Sequence, residues 1–140
     1  MIIISNNPEE TKNLAMEMAE KIPGGSVITL IGDLGVGKTV FAQGFAEGLG
    51  IEEPVSSPTF TIRKDYEEGR IPLYHFDAYR IGDVDEMEEI GYEDCFYGEG
   101  VSLVEWANLI EDILPDHYTK ITISKVPGDF DKREINIEEI

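Results

Sequence analysis

A chain of 140 residues can bury one hydrophobic core but is too short to pair a nucleotide-binding domain with a separate substrate domain, so residues 1–140 are expected to form one domain. Its net charge of −18, from 29 acidic residues against 11 lysines and arginines, opposes direct binding of nucleic-acid phosphate. No apolar run approaches the roughly 20 residues that cross a bilayer, and Met1–Ile4 is too short for a signal sequence. The lone Cys95 suits a reducing compartment. Together these features predict a cytoplasmic protein without membrane contact.

The first predicted helix begins after Asn7. Asparagine is a common N-cap, and Pro8 with the two glutamates behind it is typical of a first helical turn. The Pro-Gly-Gly segment at 23–25 ends the helix. Its apolar face is expected to comprise Leu14, Met18 and Ile22.

A strand, a glycine-rich loop and a second helix follow. Val27–Ile31 is a continuous apolar, partly β-branched run, which is typical of a strand buried on both faces of a parallel sheet. From Lys38 the pattern becomes helical, and Gly50 is placed to end the helix. The residues that would stack at four-residue spacing on this helix are Phe41, Phe45 and Leu49.

The loop between this strand and helix matches the phosphate-binding pattern G-x-x-x-x-G-K-[ST]. Glycines allow backbone N–H groups to turn inward around phosphate oxygens at a helix N-terminus, where the helix dipole favours anions. Lys38 would reach the β and γ phosphates, and the Thr39 hydroxyl would bind Mg²⁺. The motif therefore predicts a site for Mg-ATP. The residues expected to contact ATP are Gly32, Asp33, Leu34, Gly35, Val36, Gly37, Lys38, Thr39 and Val40.

The middle of the chain combines a hairpin with an acidic segment. Two β-rich runs, Thr59–Tyr66 and Ile71–Asp77, surround a turn at 67–70 and predict antiparallel pairing. Asp83–Ile90 is predicted to be a short acidic helix. Residues 81–119 hold twelve acidic residues and no lysine or arginine. This segment is either a solvated face that aids solubility or a docking surface for a basic partner.

The C-terminal part predicts a second buried strand and a final strand pair. Val101–Val104 is the buried strand, followed by a helix to Leu114 that Pro115 ends. Two further strands lie near Thr119–Val126 and Arg133–Glu138. The element order predicts an α/β protein with a single-domain P-loop NTPase fold, in which a mostly parallel central sheet is extended by antiparallel strands and carries helices on both faces.

Two acids at strand ends are candidates for metal binding and catalysis. P-loop proteins place an acid at the end of a neighbouring apolar strand as a second metal anchor, and Glu105 fits this position unless it is only a surface glutamate. Asp77 ends the preceding strand and suits holding metal-bound water or orienting the attacking water, unless it is only a turn aspartate. The predicted catalytic residues are therefore Lys38, Asp77 and Glu105, and the predicted magnesium ligands are Thr39 and Glu105.

Four motifs in sequence carry a family resemblance. They are the loop Gly32–Thr39, the segment Ser57–Phe60, the His-Phe-Asp-Ala-Tyr-Arg segment at 75–80, and the Leu-Val-Glu-Trp-Ala segment at 103–107. This set resembles the bacterial TsaE (YjeE) family over nearly the whole chain. Four linked motifs are far more specific than the phosphate-binding pattern alone.

The resemblance implies an ATPase of tRNA threonylcarbamoyladenosine biosynthesis. In that family pattern Lys38 and Thr39 would bind phosphate and magnesium, Glu105 would take the Walker B role, Asp77 would be catalytically important, and Thr59 would hold a switch-like position near the γ phosphate. Hydrolysis would serve a complex with the TsaB and TsaD proteins, which transfers a threonylcarbamoyl group to an adenosine beside the tRNA anticodon. Contact with tRNA would then be indirect.

Three further residues have two open roles each. His75 shares a strand face with Asp77 and would either orient that aspartate or serve as a structural histidine. Trp106, next to Glu105, would either report nucleotide by its fluorescence or fill the core. Arg80 would either neutralise phosphate charge or pair with the acidic segment.

The leading function is an ATPase that is slow alone and resets a partner enzyme. A small-molecule kinase would add a lid with several arginines, and residues 81–119 supply none. A GTPase would carry an Asn-Lys-x-Asp segment, which the chain lacks. A non-hydrolysing nucleotide sensor would use the same loop, and only Glu105 and Asp77 argue against it.

Overall fold

The computed structural model describes residues 1–32, 37–55, 62–79, 81, 84–107 and 110–140. Its strands are β1 (Ile2–Ser5), β2 (Val27–Ile31), β3 (Arg63–Tyr66), β4 (Leu73–Asp77), β5 (Val101–Glu105), β6 (Thr119–Val126) and β7 (Asp129–Glu139). Its α-helices are α1 (Pro8–Lys21), α2 (Lys38–Gly48), α3 (Val84–Glu89) and α4 (Tyr92–Phe96), and a 3₁₀ turn spans Glu111–Ile113.

These strands form one sheet with the order β1-β7-β6-β2-β5-β4-β3. The centre is parallel, because β2 pairs in parallel with β5 and β6, and β5 pairs in parallel with β4. Antiparallel strands extend it on both sides, with β3 on β4 at one edge and β7 and β1 beyond β6 at the other. The predicted α/β class and sheet type are confirmed.

Helices cover both faces of the sheet. Alternate residues of each central strand point to opposite faces, so Ile28 joins a core with α1 and α2 while Val27 joins a core with α3 and α4. Side chains of Phe41 and Phe45 from α2 are fully buried in the first core. Phe96 from α4 contacts Phe76 from β4 edge-to-face in the second, with ring centroids 5.6 Å apart.

The helix that follows the glycine-rich loop is held in place by close packing on α1. A Cβ atom on Gly44 would lie 2.4 Å from the Lys12 carbonyl oxygen, and one on Gly48 would lie 2.4 Å from that of Met16. Side chains at these two positions would force the helices apart. The two glycines, four residues apart on α2, therefore allow α2 to pack closely on α1. This packing fixes the position of the N-terminal end of α2, which follows the loop.

The local signals at the first elements are confirmed. The Asn7 side chain accepts a hydrogen bond from the Glu10 N–H at 2.9 Å, as an N-cap should, and α1 ends at Lys21 before the Pro-Gly-Gly segment. The buried strand β2 and the helix α2 that begins at Lys38 also lie where the sequence predicts them. No helix in the described parts of the chain has the length and hydrophobicity needed to span a membrane.

Other elements differ from the sequence prediction. The sequence pattern does not predict β1, which forms by pairing with residues 133–136 of β7 at the far end of the chain. It also does not predict α4. This helix begins after Gly91, and that glycine takes a left-handed conformation with φ 73°. The predicted helix up to Leu114 is wrong for the described residues of that segment, because Trp106 takes φ 59° directly after β5 and Glu111–Ile113 form a 3₁₀ turn instead of an α-helix.

The remaining differences concern element ends. The hairpin is confirmed as β3 and β4, although the first three residues of the predicted run, 59–61, lie outside the described part. The acidic helix is confirmed as α3. Strand β6 has the predicted bounds, and β7 begins earlier than predicted because the turn at Gly128, with φ 84°, brings Asp129 directly into the ladder.

Candidate functional site

The candidate site lies at the carboxyl ends of the parallel strands. Strand β2 ends at Ile31 and leads into the glycine-rich loop, while its neighbour β5 ends at Glu105 and the next strand, β4, ends at Asp77. Carboxyl ends of parallel strands lie at one edge of a sheet, which is the usual ligand-binding edge of α/β proteins. The sheet therefore brings the loop and both predicted acids to the same edge.

The C-terminal end of the loop begins helix α2. Gly37 is the N-cap residue and takes φ 111°, a left-handed conformation that favours glycine. Because glycine has no side-chain acceptor, the N–H groups of the first turn remain available to an anion. Lys38 is 7% exposed, Thr39 is exposed and Val40 is partly buried.

Several predicted site residues lie outside the described part of the structure. They are Asp33, Leu34, Gly35 and Val36 of the loop, the switch-like Thr59, and Arg80. Gly32 is described and lines a cavity beside the loop. The predicted roles of the six others remain predictions.

Asp77 and Glu105 are direct neighbours across two strands. They are paired in the parallel ladder of β4 and β5, so their side chains leave the same face of the sheet. Both are buried, with 3% and 4% exposure. The Asp77 Oδ1 atom accepts a hydrogen bond from the Tyr79 N–H at 2.9 Å, and the Glu105 carbonyl accepts one from the Ala78 N–H at 3.0 Å. Backbone contacts thus tie the two strand ends together.

The buried histidine of β4 contacts Glu105. The His75 Nε2 atom and the Glu105 Oε2 atom are 2.6 Å apart, and the His75 side chain is 1% exposed. The strand alternation that places His75 on the Asp77 face also places it on the Glu105 face. Alternation along β4 predicts the face of His75, but Glu105 becomes its partner only through the pairing of β4 with β5, which the sequence does not specify.

Trp106 contacts the lysine of the loop. The Lys38 ammonium lies 4.2 Å from the centroid of the indole ring, within the range of a cation–π interaction. The Tyr79 ring packs on the Trp106 ring, with the two ring centroids 4.9 Å apart. Trp106 is partly buried and also packs against the core that contains α3 and α4. The two roles weighed for Trp106 from sequence are therefore compatible, since the ring touches both the core and the loop lysine.

A cavity of about 510 Å³ opens beside the loop. Its size is within the range of about 300–1,000 Å³ that is usual for small-molecule sites. The sequence did not predict the wall formed by β6, because only the parallel pairing of β6 with β2 brings its end next to the loop. The lining residues are Ile31, Gly32, Lys38, Trp106, Thr122, Ile123, Ser124 and Lys125.

The donor set suits magnesium rather than a metal held by protein alone. The described residues contain no group of three or more His, Cys, Asp or Glu side chains that would hold a metal ion. Two neighbouring carboxylates and the hydroxyl of the exposed residue Thr39 are hard oxygen ligands at or near one edge. Magnesium usually takes one or two carboxylates and completes its shell with water and substrate phosphate. The residues present therefore fit Mg²⁺ bound together with a phosphate ligand.

The fold and the loop define an α/β protein in which a phosphate-binding sequence pattern joins a buried parallel strand to a helix. A family model described as threonylcarbamoyl adenosine biosynthesis protein TsaE matches residues 5–135. The chain belongs to the TsaE family, which acts in tRNA threonylcarbamoyladenosine biosynthesis. The resemblance seen in the four motifs is confirmed.

Relatives and a solved structure agree with this family. The tRNA threonylcarbamoyladenosine biosynthesis protein TsaE of Bacillus subtilis is 53% identical over 134 residues, covering 96% of this chain and 82% of the relative. The protein of the same name from Treponema pallidum is 37% identical over 123 residues, covering 88% and 90%. The crystal structure of YdiB from Bacillus subtilis has a TM-score of 0.85 at 46% identity and covers 98% of this chain and 83% of that one.

Proposed function

We propose that this chain is a magnesium-dependent ATPase of the tRNA threonylcarbamoyladenosine pathway, with a slow activity that rises with the TsaB and TsaD proteins. The observation that carries the proposal is the meeting of three features at one sheet edge. These are the Gly37 to Thr39 end of the loop, the acid pair of Asp77 and Glu105, and the cavity beside them. Each feature alone is common in proteins, and their coincidence favours nucleotide chemistry.

The loop would hold the triphosphate by charge and by backbone N–H groups. First-turn amides of α2 and the Lys38 ammonium would face the phosphate oxygens. Lys38 as a whole residue is buried, so its charge would act in a partly desolvated site where electrostatic attraction is stronger than in water. A phosphate would compete with the Trp106 ring for this cation.

The two acids would divide the remaining tasks. Thr39 and Glu105 would hold Mg²⁺, which when bound neutralises charge on the β and γ phosphates. Asp77 would orient the attacking water or a water of the metal shell. Because Asp77 and Glu105 are lateral neighbours, the two carboxylates would serve one and the same bound Mg-ATP.

ATP is proposed over GTP because the chain contains no Asn-Lys-x-Asp guanine-reading segment. Residues 122–125, which line the cavity, would offer hydroxyl, apolar and ammonium groups to the base and ribose. A role in tRNA modification through protein partners is favoured over direct tRNA binding, because a charge of −18 opposes contact with RNA phosphate. TsaB and TsaD are the proposed partners on the family resemblance.

The test is Mg-ATP hydrolysis with and without TsaB and TsaD. Lys38→Ala should lower turnover by about 100-fold or more, as loss of a key charge donor does in other active sites. Lys12→Ala is the matched control, since the side chain of this lysine on α1 is 38% exposed and makes an ion pair with Glu47 at 3.0 Å, a surface contact of small energy. Normal activity in the Lys38 variant would overturn the site, and transfer of phosphate to an added acceptor would favour a kinase.

A further inference from the structure

We propose that His75 is a positioning residue that holds the Glu105 carboxylate in its working orientation. The inference rests on the proposed function, in which Glu105 binds the magnesium of Mg-ATP. Its structural basis is the 2.6 Å contact between the His75 Nε2 and Glu105 Oε2 atoms. Both side chains are almost fully buried, with 1% and 6% exposure, so solvent does not compete for this hydrogen bond.

The chemistry of the pair assigns the proton. An ionised carboxylate only accepts hydrogen bonds, so the imidazole donates from Nε2. The Nδ1 atom is buried and has no hydrogen-bond partner within the described ranges. The geometry therefore points to an imidazole whose Nε2 carries the shared proton.

The ladder explains why Glu105 needs such a partner. Glu105 is the lateral neighbour of Asp77, and two carboxylates side by side repel each other in a buried setting. Glutamate also has three rotatable side-chain bonds, so burial alone does not define the orientation of its carboxylate. His75 is paired with Leu103 and reaches diagonally to the end of β5. The hydrogen bond to His75 engages Oε2, and in the proposed function Oε1 would bind the magnesium.

The hydrogen bond from His75 to Glu105 resembles those that many proteins provide to the side chains that bind a metal ion. Such partners fix the ligand's orientation, and their loss typically lowers metal affinity or activity by about 10–100-fold. The same hydrogen bond in a purely structural histidine would contribute to folding only. Magnesium dependence of nucleotide binding therefore separates the two roles.

The first experiment measures ADP binding by calorimetry at increasing magnesium concentration. His75→Leu removes the donor and keeps an apolar side chain, and should raise the magnesium concentration for half-maximal effect by about tenfold. His75→Gln, whose amide N–H₂ can replace the Nε2 donor, should recover most of the loss. His117→Leu is the matched control, because His117 is the other histidine and is exposed. An unchanged magnesium dependence in folded His75→Leu protein, or no recovery with glutamine, would overturn the proposal.

The second experiment needs no nucleotide. A nitrogen-15 NMR spectrum should assign the Nε2–H tautomer to His75, with a downfield, slowly exchanging ring N–H that disappears in Glu105→Ala. The exposed His117 provides the internal reference. A His75 proton on Nδ1, or a signal unaffected by Glu105→Ala, would refute the pair. If wild-type protein bound no magnesium nucleotide, the proposed function would fail by itself, and this spectrum would still decide whether His75 holds Glu105.

Discussion

Gly44→Ala tests whether the glycine contact between α1 and α2 fixes the loop helix. The new Cβ would lie 2.4 Å from the Lys12 carbonyl oxygen and 2.9 Å from its Cα, and both are backbone atoms that cannot rotate away. Ordinary contact begins at 3.4 Å, so the helices would have to separate by 3.4 minus 2.4, or about 1 Å. The alternative is a local distortion of one helix.

Two opposing effects set the magnitude. Alanine is favoured over glycine inside a helix by about 1 kcal/mol, which would stabilise the variant. Overpacking of a well-packed interface costs about 1–3 kcal/mol. The backbone overlap places this site near the upper end, so we expect a net loss of about 1–2 kcal/mol in the free energy of unfolding. For a chain of this length that corresponds to a fall of about 3–8 °C in Tm.

Thermal unfolding followed by circular dichroism measures this change. Gln43→Ala is the matched control in the same helix, since its side chain is exposed and its hydrogen bond to the Val55 carbonyl is long, at 3.4 Å. The control should stay within about 0.5 kcal/mol of wild type. Because α2 begins at Lys38, nucleotide affinity should fall together with Tm in the Gly44 variant. A Tm equal to or above that of wild type would refute the packing argument.

Three other variants or titrations follow from single observations. Trp106 is the chain's one tryptophan and lies under the Lys38 ammonium, so Mg-ADP should change its emission in wild type and not in Lys38→Ala; an equal change in both proteins would contradict competition for the lysine. Ser102→Ala should be neutral or raise stability by up to about 1 kcal/mol, because the hydroxyl is fully buried and makes no hydrogen bond to any described residue; a loss above about 1 kcal/mol in urea unfolding would indicate a partner. Burial raises the pKa of the Cys95 thiol to about 11, so the folded protein should react slowly with a disulfide reagent at pH 8 and faster as pH rises toward 11; reaction at pH 8 at the rate of the unfolded chain would refute the burial.

The sequence predicted elements whose signals are local. The N-cap Asn7, the apolar run Val27–Ile31 and the helix that begins at Lys38 each depend on residues close together in the chain, and each element forms where expected. The ends of β4 and β5 were also predictable, because an acid follows each apolar run. These local signals were enough to bring the phosphate-binding pattern and both acids to one sheet edge.

Features that depend on strand order were not predictable. Strand β1 exists only through pairing with β7, more than 125 residues away, and its own run of isoleucines carries no partner information. The wall of the cavity at Thr122–Lys125 and the diagonal contact from His75 to Glu105 likewise require the neighbours of each strand. Periodicity predicts which face of a strand a residue occupies, but which residue lies beside it on the next strand depends on the strand order and register of the assembled sheet.

Backbone conformation supports the position of the site independently of its sequence motif. Within the described residues, the non-glycine residues with positive φ are Ile62 at 67° and Trp106 at 59°. A left-handed conformation costs a residue with a side chain about 1–2 kcal/mol, and it persists where the surrounding structure demands it, often at active sites. The Ile62 carbonyl accepts the Asp77 N–H at 2.8 Å, and Trp106 directly follows Glu105. Ile62, directly before β3, is thus hydrogen-bonded to one of the two acids proposed to act on Mg-ATP, and Trp106 is the chain neighbour of the other. Both left-handed residues therefore lie beside the strand ends that carry the two carboxylates.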